Sequence, residues 1–387
     1  GICTICGMPE AVAAVTLNGV TTNVDALADA FTAENNGATV TLLADVALSQ
    51  TITLSGSQFT LSGGGHAITY TGDGAAIRIA GGDVTLSTCK IDGKQRGVEI
   101  SGGTVNISDS TFNAAGNEYG GGQGVYISGG DVTISGGTYS RKGGYAACGV
   151  EIQSGKLTIE SGTFSGADGD RACGVNVGQN GKATIRDGSF SGTGGYDASG
   201  LRVTFGGNAV ISGGVFTGSH YGVYNTGVTT ISGGTFSSES HPLDTNGSFA
   251  GMLATDCAYY RDNKPIKVDN GLSPGTVTVR ECDHTGVEVQ DLGGGKHGLD
   301  CPYCGGGYSH ETVLTAAASG SLVTLTLRCR TGDCGYKESL GSMTFTIPSV
   351  FYGETGKELT WTPVPGDYYL ALELTGSQAQ ILPPTKT

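Results

Sequence analysis

The heptapeptide Ile134-Ser135-Gly136-Gly137-Thr138-Tyr139-Ser140 does not stand alone in this chain. It returns as IESGTFSG from Ile159, IRDGSFSG from Ile185, ISGGVFTG from Ile211 and ISGGTFSS from Ile231. Degenerate copies precede it: ISDSTFNA from Ile107 and LSTCKIDG from Leu86. The steps between copies are 21, 27, 25, 26, 26 and 20 residues. A period of this length and content marks a solenoid, in which each repeat is one coil, and not a closed domain.

Each copy has the same parts. A short strand such as Val132-Thr133-Ile134 alternates apolar and polar residues with period two. A Gly-rich corner follows, then an aromatic: Phe112, Tyr139, Phe164, Phe190, Phe216, Phe236. After a variable polar loop comes a strand reading Gly-Val-x-Ile, with Val98, Val125, Val150, Val175, Leu201 and Val223 at equivalent places. One such coil cannot bury its own apolar face. Coils stacked at about 4.8 Å can, with like residues in internal ladders. The aromatic series is therefore expected inside, and the fold class is an all-β parallel β-helix.

Glycine numbers 69 in 387 residues, and only 14% of residues are charged, which suits a solenoid coated in Thr, Ser and Gly. The net charge of −14 disfavours nucleic acid and anionic membranes as partners. No apolar run is long enough for a membrane span, so membrane insertion is not expected. Eleven cysteines is an odd number, so at least one lies outside intramolecular disulfides.

Four segments are read along the chain. Residues 1–13 carry Cys3-x-x-Cys6-Gly7, which recurs as Cys301-x-x-Cys304-Gly305, and read as the tail of a preceding module. Residues 14–240 form the β-helix. Its first coil needs a cover to hide open strand edges. An amphipathic α-helix capped at Asn23, with Val24, Leu27 and Phe31 on one face and Asn36-Gly37 as its stop, suits that role. Cys148 and Cys173 occupy equivalent positions in adjacent coils. Stacking places them within disulfide reach, but in-register parallel neighbours favour a reduced thiol ladder.

Residues 241–306 are read as a C-terminal cap and a Cys/His module. Ala258–Arg261 and Ile266–Val268 flank Asp262-Asn263-Lys264-Pro265, which reads as a hairpin. Cys282 and His284, followed by Cys301 and Cys304 on a Gly-terminated knuckle, are the ligand set of a structural zinc site. Disulfides among Cys282, Cys301 and Cys304 are the competing reading, and His297 is an alternative fourth ligand. Residues 307–387 alternate as short strands with Gly turns and are expected to form a small Ig-like β-sandwich. There Cys329 and Cys334 either clip a turn as a disulfide or bind metal with His310. Leu382-Pro383-Pro384-Thr385 reads as a linker towards further modules.

The run VTLNGVTTNVDALADAF (15–31) opening the ISGGTF coils, then CDHTG and CPYCG, then IPSVFYGETG (347–356), resembles large multi-module extracellular proteins of gut Clostridia-type bacteria. The coil region is similar to the pectate-lyase-like right-handed β-helix superfamily. The resemblance implies right-handed winding and a secreted or cell-wall-attached, adhesin-like protein.

Chemistry is sought on the Gly-Val-x-Ile strand. Its outward residue forms the row Glu99, Tyr126, Glu151, Asn176, Arg202, Tyr224. Beside it lie Tyr145, Asp170 and Tyr196, then Arg171 and Asp197. Such a patch suits a polysaccharide or host-surface glycan, with tyrosine rings under pyranose faces and charged groups on hydroxyls. The binding set is Tyr126, Tyr145, Glu151, Asp170, Tyr196, Arg202 and Tyr224. An enzyme reading, as lyase or glycoside hydrolase, would use Glu151, Asp170, Arg171, Asp197 and Arg202, with calcium needed only for a lyase. Against it, Arg171 beside Asp197 reads as a surface ion pair. The Asn-Thr-Asp and Gly-His-Gly motifs of pectin hydrolases of this fold are absent. His66 and His220 have no evident partner. The expectation is a non-catalytic binding protein, with a bare spacer as the remaining alternative.

Overall fold

A computed structural model describes residues 10–115, 122–267, 271–284 and 301–304 with their side chains, and the backbone strands between Gln290 and Lys386. The expectations for Cys3, Cys6, Cys334, the side chains of His297, His310 and Cys329, and residues 382–384 lie outside the described residues. The chain forms two compact units, one ending at Asp283 and the other beginning at His284.

The first unit is a solenoid of parallel strands, three per typical coil. Its first inner ladder runs Leu61, Leu86, Ile107, Ile134, Ile159, Ile185, Ile211, Ile231. Its second runs Ile68, Ile91, Phe112, Tyr139, Phe164, Phe190, Phe216, Phe236. The third runs Ile77, Val98, Val125, Val150, Val175, Leu201, Val223, Leu243. All these side chains are buried in one continuous core. From Tyr139 to Phe236 the rings stack face to face at 4.5–5.1 Å. Each buried ring contributes roughly 1.5–3 kcal/mol by leaving water, and each ring pair adds about 0.5–1.5 kcal/mol. The aromatic series is thus the interior stack that its spacing predicts.

The corner glycine has a specific cause. Gly188 has φ +132°, and a Cβ there would lie 3.0 Å from the Gly162 carbonyl oxygen and 3.1 Å from the Phe190 ring. The chain can turn above the ring only where no side chain intervenes.

The N-terminal cover differs from expectation. Val20–Val24 is a strand that pairs antiparallel with Ala13–Leu17 across an Asn18-Gly19 turn, so Asn23 sits opposite Ala14 and caps nothing. Ala13–Leu17 in turn covers Thr39–Leu42 antiparallel. Two 3-10 turns, Leu27–Ala30 and Ala33–Asn35, replace the amphipathic α-helix. Strand pairing takes up the residues of its first turn, and the remaining segment is too short to sustain an α-helix. Leu27 is still buried and Phe31 packs edge-on against Phe59, so the apolar residues cover the core as expected by another route.

Cys148 and Cys173 are joined as a disulfide, which overturns the thiol ladder. They are in register, with Cα atoms 4.7 Å apart and both side chains buried. That separation lies within disulfide reach.

At the other end, His241–Thr245 continues the third ladder. Gly275–Glu281 then covers Gly234–Ser238 antiparallel, and the hairpin Cys257–Arg261 with Lys264–Ile266 packs onto it. Asp262 and Asn263 take φ of 50° and 61° at its turn. The second unit holds an antiparallel five-stranded sheet formed by Gln290–Gly293, Lys296–Asp300, Gly307–Ser319, Leu322–Cys329 and Lys337–Thr344. A further antiparallel sheet joins Glu358–Trp361, Tyr368–Thr375 and Gln378–Ile381.

Candidate functional site

The outward rows of the three ladders differ in chemistry. Over the first lie Thr60, Thr85, Asn106, Thr133, Thr158, Thr184, Val210 and Thr230. Over the second lie Thr111, Thr138, Thr163, Ser189, Val215 and Thr235. The third row reads Arg78, Glu99, Tyr126, Glu151, Asn176, Arg202, Tyr224, Asp244. The row expected from the repeats is therefore a true register ladder, longer by Arg78 and Asp244. A second row, two positions before each inner Val or Leu, runs beside it: Arg96, Gln123, Cys148, Cys173, Ser199, Tyr221, His241. The loops that bring Tyr145, Asp170, Arg171, Tyr196 and Asp197 alongside are tied coil to coil. Arg171 N–H donates to Tyr145 O, and Asp197 N–H to Asp170 O, both at 2.9 Å.

The face has two halves. In the N-terminal half the polar groups are engaged with each other. Glu99 accepts from Arg78 at 3.1 Å and Arg96 at 2.7 Å. Arg96 also covers the Tyr126 ring, its guanidinium carbon 4.0 Å from the centroid. Gln123 and Gln153 both donate to Glu151. Tyr126 and Glu151, both singled out from the sequence, are thus already occupied.

The C-terminal half is open. Tyr196 is 82% exposed and Tyr145 50%. Asp197 faces two guanidiniums, Arg171 Nε at 3.4 Å and Arg202 Nη2 at 3.7 Å. Arg171 lies over Tyr145 and Arg202 over Tyr224, at 5.0 and 4.6 Å. Burial, with Arg171 nearby, pulls the Arg202 guanidinium below its ordinary value, against the opposing pull of Asp197. Asn176 Oδ1, Ser199 Oγ, Arg202 Nη1 and His220 Nδ1 are all buried without a hydrogen-bond partner. Buried polar groups are normally paired, and these four unpaired ones gather on three successive coils.

Sequence reading missed several residues here. His220 packs at 6.4 Å from Tyr196 and 6.1 Å from Tyr221, which reaches Tyr224 at 5.2 Å and His241 at 6.1 Å. His220 therefore has the neighbours its short loop did not reveal. Burial raises the Tyr221 hydroxyl pKa, and Asp244 and Asp197 add to the rise. Extending the Cys148–Cys173 position along the repeat would have found Tyr221 and His241. Two shallow grooves lie elsewhere, about 450 Å³ around Thr217 and Ser237 and about 500 Å³ around Asp131 and Lys156, and neither has an aromatic lining.

The Cys/His cluster is separate. The ligand atoms of Cys282, His284, Cys301 and Cys304 all lie within 4.8 Å of one another, and none of the three cysteines is in a disulfide. Cys304 Sγ is 4.0 Å from His284 Nδ1. His284 takes φ 53°, a left-handed conformation that His tolerates better than most residues. Burial alone would raise the Cys301 thiol. Hydrogen bonds from His284, the Tyr303 and Cys304 backbone and the Cys304 thiol outweigh it and bring the value down to about 7. Three sulfurs and one imidazole can hold a metal ion, and four protein ligands leave no open position for catalysis.

Residues 74–236 match a family model described as a right handed beta helix region. The match spans the repeated coils, so this part of the chain is a right-handed β-helix. No curated protein and no solved structure matches the chain.

Proposed function

We propose that the chain is a non-catalytic, extracellular glycan-binding protein whose binding surface is the C-terminal half of the third face. The observation that carries this reading is the aromatic and polar patch of Tyr145, Tyr196, His220, Tyr221 and Tyr224 around the buried Arg202, on a solenoid whose other two outward rows are mostly Thr and Ser. The exposed rings of Tyr145 and Tyr196, two coils apart, suit pyranose faces along one chain, and side-chain amides, hydroxyls and guanidiniums suit their hydroxyls. Against catalysis, Glu99, Glu151 and Asp197 are each held by two donors of their own chain. A hydrolase needs two carboxylates that can exchange a proton or attack. The extracellular placement is supported by the buried Cys148–Cys173 disulfide, since such bonds persist in oxidising compartments.

The Cys282, His284, Cys301, Cys304 cluster is read as a structural zinc site, because thiolate and imidazole in a four-ligand set suit tetrahedral Zn²⁺. The functional reading is tested by retention of the protein on immobilised plant and mucin polysaccharides, beside a turnover assay with and without Ca²⁺. Retention without new reducing ends or unsaturated uronate supports it. Turnover would replace it with the enzyme reading, and neither retention nor turnover would leave a spacer.

A further inference from the structure

The charges on the third face have a consequence for which glycans it accepts. Arg78, Arg96, Arg171 and Arg202 meet five carboxylates in the same rows and loops: Glu99, Glu151, Asp170, Asp197 and Asp244. In the open half, Asp197 alone is ion-paired with both Arg171 and Arg202 among the described residues. The whole chain carries −14. An incoming carboxylate or sulfate would therefore compete with Asp197 for both guanidiniums while approaching a chain of net negative charge.

We propose that Asp197 is a specificity-determining residue, which sets this face for neutral, hydroxyl-rich glycans and excludes acidic ones. The proposal rests on the glycan-binding reading above and adds the ligand class. It also makes the ion pairs of Asp197 a device of selection, because they cancel the charge that would otherwise attract a polyanion.

The test compares retention on galactomannan, xylan and dextran with retention on hyaluronate and alginate, at low and high salt. Wild type is expected to retain at least one neutral chain and to hold the acidic ones about tenfold more weakly at low salt, the gap narrowing as salt screens the charges. Asp197→Asn releases two guanidiniums and should raise acidic retention about tenfold. Arg171→Gln should lower it further. Misfolding cannot produce these opposite shifts. A wild-type preference for the acidic chains, or an unchanged acidic-to-neutral ratio in Asp197→Asn, overturns the proposal and leaves glycan binding standing. Retention of no polysaccharide by wild type overturns both.

Discussion

Phe190 and Phe216 lie one above the other in adjacent coils, ring centroids 4.5 Å apart and planes 7° from parallel. Neither ring is exposed. The pair is the tightest step of the aromatic ladder and so the place to measure what the ladder contributes. Phe190→Ala removes a ring packed on both sides and should cost about 3–5 kcal/mol, read as a lower urea midpoint at constant slope. Phe190→Leu should cost clearly less. Equal losses in the two variants would mean that apolar volume alone restores nothing and that the ring itself carries the stability here.

The corner glycine should be as sensitive as the ring. Gly188→Ala places a Cβ against both the Gly162 carbonyl and the Phe190 ring at a φ that L residues avoid. A loss of more than about 1 kcal/mol is expected, beyond the ordinary cost of strain at such a position. Ala at Gly251, whose Cβ would meet only the Ser248 side chain at 3.6 Å, is the control and should be nearly neutral.

The Cys148–Cys173 bond closes a loop with a sequence separation of 25. Loop closure of that size stabilises by about 3 kcal/mol through the unfolded chain. The double variant Cys148→Ala with Cys173→Ala should unfold at lower denaturant, and a thiol reductant should shift wild type towards it. A reductant effect of the same size in the double variant would show that the bond contributes nothing.

On the proposed binding face the two tyrosine classes should separate. Tyr196→Ala removes the most open ring and should abolish most retention on a bound polysaccharide. Tyr126→Ala should change it little, because Arg96 already covers that ring. The reverse order would move the site to the N-terminal half of the face.

Metal content gives an independent check on the Cys/His cluster. Purified chain should carry one zinc, lost in Cys304→Ser and in His284→Ala. Metal binding must release thiol protons, so affinity should be held above about pH 7, where the Cys301 thiol is ionised, and should fall as pH drops below it. The sign follows from a lowered thiol value: the thiolate is present above it and protonated below it. Zinc retained undiminished in both variants would rule out this ligand set.

Much of this protein was legible in its repeat alone. Because coils stack in parallel register, aligning the copies of Ile134–Ser140 also aligns residues in space. The Phe112–Phe236 ladder and the Glu99–Tyr224 row followed from counting. The Cys282, His284, Cys301, Cys304 cluster was legible too, because its residues come as two short pairs. Three other features depended on side-chain geometry and strand competition that no period encodes. Residues 20–24 chose a hairpin over a helix because a strand partner was at hand. Cys148 and Cys173 bonded because their side chains, and not only their positions, converge. The row also divided into a closed half around Glu99 and Glu151 and an open half around Arg202 and His220, because hydrogen bonds cross between rows at distances that sequence spacing leaves undetermined.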